Sequence, residues 1–412
     1  MRINVEKLRT TLKLLAPVIP TKAARGKVVT NTTAKKGGRG RKKEVTTQTS
    51  MPILEHVLLK DGKAMATNFG AAVSVELEGA TYGECLLPHR AVVDMLNYVP
   101  GSEMVDIEQK DKELTLRWET GGATLETMDT GEFPAMPQIE AEIEAVVDGD
   151  TLVPAMLSMT GYCADVGDNK PVLSGVFLFL GDPVELGGAD GFRLAYKKLP
   201  NVSILPLDGL KHVIIPADTV VLLEHLWSTS PRATAPETDS IVALVTARGK
   251  INVSIRGNKL QAKFGKVTMT ASTIAGTPPG LTQLIPKDPP LTVQLFAPDL
   301  ERTIRGSKSI AKEGQGIVRM EWDEHSMKVT ALAGDKGKVS NVIAVNADGG
   351  VGRIGLNLPY LMEYLKGKTG FITMATTDHT KPALFRCSGH PLVVIMPMHV
   401  EWGTEQAVVP TQ

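Results

Sequence analysis

The chain predicts an α+β fold written three times, each copy carrying two helices packed on antiparallel sheet. Three observations predict it. A helical pattern, a buried-strand signature and a second helix behind a common entry signal recur in one order. The entry residues Pro88, Pro216 and Asn357 stand 128 and 141 residues apart, a domain-sized period and not that of a solenoid. Runs of period-two alternation fill the intervals, about eight short strands per copy.

The first copy opens with a helix over Val5–Ile19. Val5, Leu8, Leu12 and Leu15 form one stripe, and Glu6, Lys7, Thr10 and Lys13 lie on the other face. Met51–Leu59 reads as a buried strand. Leu86-Leu87-Pro88 then introduces a second helix over Val92–Val99, and Glu113–Trp118 alternates as a strand should. The Pro-rich stretch Glu132–Pro137 closes the copy. The second copy repeats the order with a helix over Asp150–Asp165, a strand at Lys170–Leu178, and Ile214-Ile215-Pro216 before a helix at Val220–Trp227. Its first helix, with Leu152, Met156, Met159 and Cys163 apolar, has no basic face. The alternating run Lys250–Ile255 and the punctuation Gly276–Gly280 follow.

The third copy begins with a helix over Ala297–Glu313. Leu300, Ile304 and Ala311 share its apolar face, while Arg302, Arg305, Lys308 and Lys312 gather opposite. A weaker strand signature, Gly316–Met320, an alternating run, Met327–Leu332, and a helix over Leu361–Lys366 complete it. Domain boundaries are expected to give 1–140, 141–288 and 289–400, with 401–412 as an extension. Three like domains in one chain suggest a curved or closed assembly.

At 412 residues, with 42% hydrophobic and 22% charged residues, the chain has room for three cores of ordinary composition. Cys85, Cys163 and Cys387 are far apart and odd in number, which predicts reduced core thiols. Met1–Val5 runs straight into an amphipathic pattern, without a signal peptide. No apolar run approaches the roughly 20 residues of a membrane span, so a soluble, cytoplasmic protein is expected.

A net charge of zero hides a division. Between Thr21 and Val45, Lys22, Arg25, Lys27, Lys35, Lys36, Arg39, Arg41, Lys42 and Lys43 face the single acid Glu44; elsewhere 36 basic residues meet 44 acidic ones. The segment has no apolar periodicity and predicts a mobile loop. Two readings fit it: contact with a nucleic acid, or a solvated insertion. The basic face of the Ala297–Glu313 helix admits the same pair of readings.

No catalytic motif emerges. A Walker loop, HExxH, GxSxG and a dinucleotide fingerprint are all absent. Gly37–Arg41 follows no strand and opens no helix, and His89 and His212 have no partners at metal-ligand spacing. Asp190-Gly191 after an apolar run reads as a turn. No catalytic residue, metal or cofactor is therefore expected.

Taken in order, five landmarks resemble one family. They are Pro52–Leu59, its echo Pro171–Leu178, the turn Ala189-Asp190-Gly191-Phe192-Arg193-Leu194-Ala195, Ile354–Tyr360, and Val393–Met398. Over nearly the whole chain they look like the bacterial DNA polymerase III β subunit, the replicative sliding clamp. The resemblance implies three DNA-clamp domains per chain and a head-to-tail homodimer closing into a ring around duplex DNA. Such a ring is a non-catalytic processivity factor for DNA replication. It holds DNA by topology, without sequence preference, and tethers the polymerase and clamp loader through short linear peptides. The peptide pocket would use Leu173, Gly191, Arg193, Leu194, Pro279, Leu284, Asn357, Tyr360, Val394, Ile395, Met396, Pro397 and Met398. DNA contacts would come from the nine basic residues between 21 and 45 and from Arg302, Arg305, Lys308 and Lys312. Ala123, Leu125 and Ile310 match the subunit contact.

This sequence departs from the family pattern in several places. Ala189 stands where Thr is usual, Phe192 where His is usual, and Gln283 and His399 where Arg is common. The basic loop is longer than its counterpart, and Glu401–Gln412 extends past the usual end. Rival readings are a monomeric or weakly dimeric DNA-binding module tethered by the loop, and a nucleic-acid enzyme with an unseen site.

Overall fold

The computed structural model describes residues 1–20, 51–79, 83–207, 209–230 and 249–402. The basic segment 21–45, with its nine candidate phosphate-binding residues, and most of the 401–412 extension lie outside the described residues. The chain packs as two compact units, Met1–Asp150 with Val221–Thr273, and Thr151–Val220 with Ile274–Gln412.

The first unit holds two antiparallel sheets. One has four strands in the order β1 (Arg2–Asn4), β6 (Met104–Lys110), β7 (Glu113–Trp118) and β8 (Gly121–Glu126). The other runs β5 (Glu84–Pro88), β2 (His56–Lys60), β3 (Lys63–Thr67), β4 (Ala71–Glu76), β16 (Val267–Ser272), β15 (Lys259–Phe264), β14 (Lys250–Arg256), β9 (Ile143–Asp148). Helices α1 (Val5–Leu15) and α2 (His89–Leu96) belong to this unit. Asn4 caps α1, its Oδ1 accepting from the Lys7 N–H at 3.2 Å, and Val5, Leu8, Leu12 and Leu15 are fully buried. The expected helix to Ile19 stops earlier: Pro17 sits in a 3-10 turn over Ala16–Val18. Helices α3 (Gly149–Thr160) and α4 (Ala217–Thr229) span the changeover points between units.

The second unit is built on a twelve-stranded sheet. Its order is β13 (His212–Pro216), β10 (Gly175–Phe179), β11 (Val184–Ala189), β12 (Arg193–Leu199), β24 (Leu392–Ile395), β23 (Ala383–Arg386), β22 (Phe371–Thr376), β17 (Leu291–Phe296), β20 (Lys338–Asp348), β19 (Ser326–Leu332), β18 (Ile317–Trp322), β21 (Gly352–Asn357). Helices α5 (Leu281–Leu284), α6 (Ala297–Glu313) and α7 (Leu358–Leu365) complete it. Among the described residues each sequence copy supplies eight strands and two long helices, the α+β repeat its pattern predicts.

The buried-strand signatures are shorter than their apolar runs. Pro52–Glu55 and Pro171–Ser174 form 3-10 turns, and the strands begin at His56 and Gly175. Proline at the head of each run has no N–H for a ladder and a φ suited to a helical turn. Pairing of β4 with β16 (Val73 opposite Met269) and of β12 with β24 (Leu194 opposite Val394) joins strands from successive copies. Sheets therefore continue from one copy into the next within each unit.

All three cysteines are free thiols. Burial pushes the Cys85 and Cys163 thiols up to about 12, so both stay protonated and unreactive at neutral pH.

Candidate functional site

The residues assigned to a peptide pocket all fall in the second unit, and most of them gather around the turn between β11 and β12. Asp190 organises that turn. Its Oδ1 accepts from the backbone N–H groups of Phe192 (2.8 Å) and Arg193 (2.9 Å), and its Oδ2 accepts from Arg193 Nε at 2.8 Å. Gly191 between them has φ +95°, a conformation that L side chains rarely adopt. The Asp190–Arg193 pair is nearly buried, with side chains 10% and 12% exposed. Arg193 is held further by aromatic faces, its guanidinium carbon lying 4.4 Å from the Tyr360 centroid and 5.4 Å from that of Tyr162. Its Nη1 is buried without a hydrogen-bond partner among the described residues. A buried donor of this kind is left for a ligand oxygen or water.

Phe192 projects from the same turn and is 56% exposed. Its ring stacks on Tyr360 at 6.5 Å with an interplanar angle of 28°, and Lys170 Nζ stands 5.4 Å from its centroid. Lys170 also donates to the Asp190 carbonyl at 3.3 Å. Tyr360 is placed by the start of α7, where Asn357 Oδ1 accepts from the Tyr360 N–H at 3.2 Å. Burial raises the Tyr360 hydroxyl above its ordinary range, so it stays a neutral donor.

The apolar members divide by depth. Leu194 and Val394 sit in one buried cluster with Phe177, Ala189, Ile214, Leu281 and Leu384; Leu173 packs against it half-buried. Ile395 is fully buried. Exposed apolar surface comes instead from Phe192, Leu284 and Met396, with half-buried Pro279, Pro397 and Met398 beside it in sequence. The structure thus brings Gly191, Arg193, Leu194, Asn357, Tyr360 and Val394–Met398 around one turn and one helix start. The sequence does not mark Lys170 or Tyr162 as members. Asp190 and Phe192 were visible in the turn motif, whereas Lys170 and Tyr162 approach only through the fold.

The basic face of α6 is less cationic than its composition. Leu300, Ile304 and Ala311 are buried as the stripe requires. Arg302 pairs with Asp299 at 2.9 Å, and Arg305 with Glu301 at 2.6 Å. Lys308 and Lys312 are exposed and make no ion pair among the described residues. Helix α1 carries two further exposed lysines, Lys7 and Lys13, on the face opposite its buried stripe.

Ala123 and Leu125 lie half-buried on β8, an edge strand of the four-stranded sheet. Strand β20 pairs with β19 along Lys338–Ala344, but with β17 only over Val345–Asp348. Its N-terminal half therefore presents a second ladder edge without a partner strand among the described residues. Ile310 sits at the start of that edge, its Cδ1 3.8 Å from where a Cβ on Gly337 would stand.

The chain matches known proteins in both sequence and fold. Residues 282–399 match the family model described as DNA polymerase III beta subunit, C-terminal domain. The chain is 22% identical over 344 residues to the beta sliding clamp of Staphylococcus epidermidis, covering 79% of this chain and 85% of that one. The crystal structure of the DNA polymerase III subunit beta from Pseudomonas aeruginosa superposes with a TM-score of 0.78 at 20% identity, covering 97% and 99% of the two chains. A sliding clamp from the same organism bound to griselimycin superposes at 0.77, again at 20% identity with 97% and 99% covered.

Proposed function

From the premise that this chain belongs to the DNA polymerase III beta-subunit family, we propose that it works as a homodimeric sliding clamp on duplex DNA. It is a non-catalytic processivity subunit. One observation carries the dimeric ring: β8, an end strand, and the Lys338–Ala344 half of β20 each leave a ladder edge without a partner among the described residues, and Ala123, Leu125 and Ile310 lie at these edges. An exposed ladder edge is a template for another strand. Two different edges on one chain give a heterologous contact, which makes a finite ring when two copies close it. Ala123 and Leu125 on one side and Ile310 on the other supply apolar surface for the joint. The proposed domain division is 1–140, 141–288 and 289–400.

Lys308 and Lys312, Arg302 and Arg305, and the nine basic residues between 21 and 45 are assigned to phosphates. They would neutralise backbone charge and read no bases. The turn at Asp190–Arg193 with Tyr360 and Met396–Met398 is assigned to partner peptides of the polymerase and clamp loader. Apolar walls with a few fixed polar groups suit a short linear segment. We assign griselimycin, which a sliding clamp of the same fold binds, to that pocket as its test ligand. The proposed compartment is the cytoplasm; among the described residues no helix is long and apolar enough to cross a membrane.

The test is topological. After loading, the protein should stay on closed circular DNA and leave the same DNA once it is linearised. Equal retention on both would overturn the ring and favour the monomeric binding module.

A further inference from the structure

The segment after β24 is tied down at successive points, and the last tie lies outside the pocket itself. The Met396 N–H donates to the Phe192 carbonyl at 2.8 Å, and the Met398 N–H donates to the Gly355 carbonyl at 2.8 Å. Val400 then packs on Gly355. A Cβ at that position would stand 2.3 Å from Val400 Cγ2 and 3.2 Å from the Met398 carbonyl oxygen, so only glycine admits the strap this close. Trp402 follows over two guanidinium groups, 4.9 Å from Arg353 and 5.9 Å from Arg319.

The sheet makes this arrangement possible. Strand β21 is one of the two end strands of the twelve-stranded sheet, and its ladder with β18 puts Arg319 opposite Gly355. Val318, Met320, Ile354 and Leu356 are buried on one face. Alternation leaves Arg319, Arg353 and Gly355 on the other face, which is the seat of Val400 and Trp402. The strap therefore covers a strand edge and clips onto the outer face beside it.

Met396 and Met398 carry the two N–H groups anchored to Phe192 and Gly355, and Pro397 lies between them. Three residues of irregular chain have no ladder or core of their own to hold them. Their order depends on both ends being fixed. We propose that Trp402 is a positioning residue for the peptide pocket: its contact with Arg319 and Arg353 closes the strap and keeps Met396–Met398 preformed as the pocket wall. The inference rests on the pocket assigned above, and Trp402 itself touches no ligand in it.

The experiment titrates griselimycin into the full chain and its variants by calorimetry, beside hydrogen exchange at the Met396 and Met398 amides without ligand. Trp402→Ala should weaken binding about tenfold and speed exchange at both amides. Trp402→Phe, which keeps a ring over the arginines, should recover most of both. Met396→Glu separates the pocket from the strap. If it binds as the parent does, or if neither binds, the pocket assignment falls and the inference with it. If Met396→Glu loses binding while Trp402→Ala keeps the parent's affinity, the inference alone falls. Faster exchange with unchanged affinity overturns the inference as well, because Trp402 would then only cap a sheet edge.

Discussion

Leu194 and Met396 lie close together in the proposed pocket but answer to different physics. Leu194 is 5% exposed within the cluster of Phe177, Ile214 and Val394, whereas Met396 is 44% exposed. A charge at Leu194 would have to be buried without a partner, which costs several kcal/mol. Leu194→Glu should therefore lower the unfolding free energy by several kcal/mol, read by urea denaturation, and lose ligand binding only as a consequence. Met396→Glu should leave stability within about 0.5 kcal/mol of the parent and abolish binding directly. A parent-like affinity in a folded Met396→Glu protein would remove Met396 from the pocket. The nearby Asp190–Arg193 pair belongs to a third class. Buried, and bonded to two backbone N–H groups of its own turn, Asp190 shapes the site before any ligand arrives.

Elements carry the electrostatics, and helix α6 shows why counting charges overstates them. Of its four basic residues in the proposed phosphate face, Arg302 and Arg305 are each satisfied by an acid three or four residues earlier. Lys308 and Lys312, without an ion pair among the described residues, are the ones proposed to release counterions. Each phosphate neutralised adds about −0.9 to the slope of log affinity against log salt. Replacing Lys308 and Lys312 by Ala should flatten that slope by up to about 1.8, and replacing Arg302 and Arg305 should change it less. Fluorescence anisotropy with duplexes of unrelated sequence at several salt concentrations makes the comparison. A larger loss from the arginine pair would mean that they leave their acids for DNA. A sequence-dependent loss would mean base contact.

For the whole molecule, the β8 edge and the Lys338–Ala344 edge of β20 are the proposed joint on which ring or monomer would depend. Leu125 on β8 is half-buried, within the proposed joint. Leu125→Asp should place a charge in the joint, shift the sedimentation coefficient from dimer to monomer at micromolar concentration, and abolish retention on circular DNA. The internal fold should not change, since the residue lies on an edge. A parent-like dimer in this variant would place the joint elsewhere.

The helix stripes and the absence of catalytic motifs were legible in the sequence because they are local, and the repeat because the same local patterns recur in one order. Val5, Leu8, Leu12 and Leu15, or Leu300, Ile304 and Ala311, share a face through helical geometry alone, and all are buried. The Asp190-Gly191 turn was legible for the same reason, resting on a side chain that bonds its own backbone two and three residues on. Element ends were less so: the strand signatures at Pro52 and Pro171 begin as 3-10 turns, where an apolar run alone does not separate turn from strand. The sequence carried the cation count of α6, but only the fold determined which cations were free. Tertiary structure alone decided that β12 pairs with β24, that Tyr162 and Tyr360 meet Arg193, and that Trp402 lands on Arg319 and Arg353. Those partners are tens to hundreds of residues apart. Their meeting depends on strand order and register, which no local periodicity encodes.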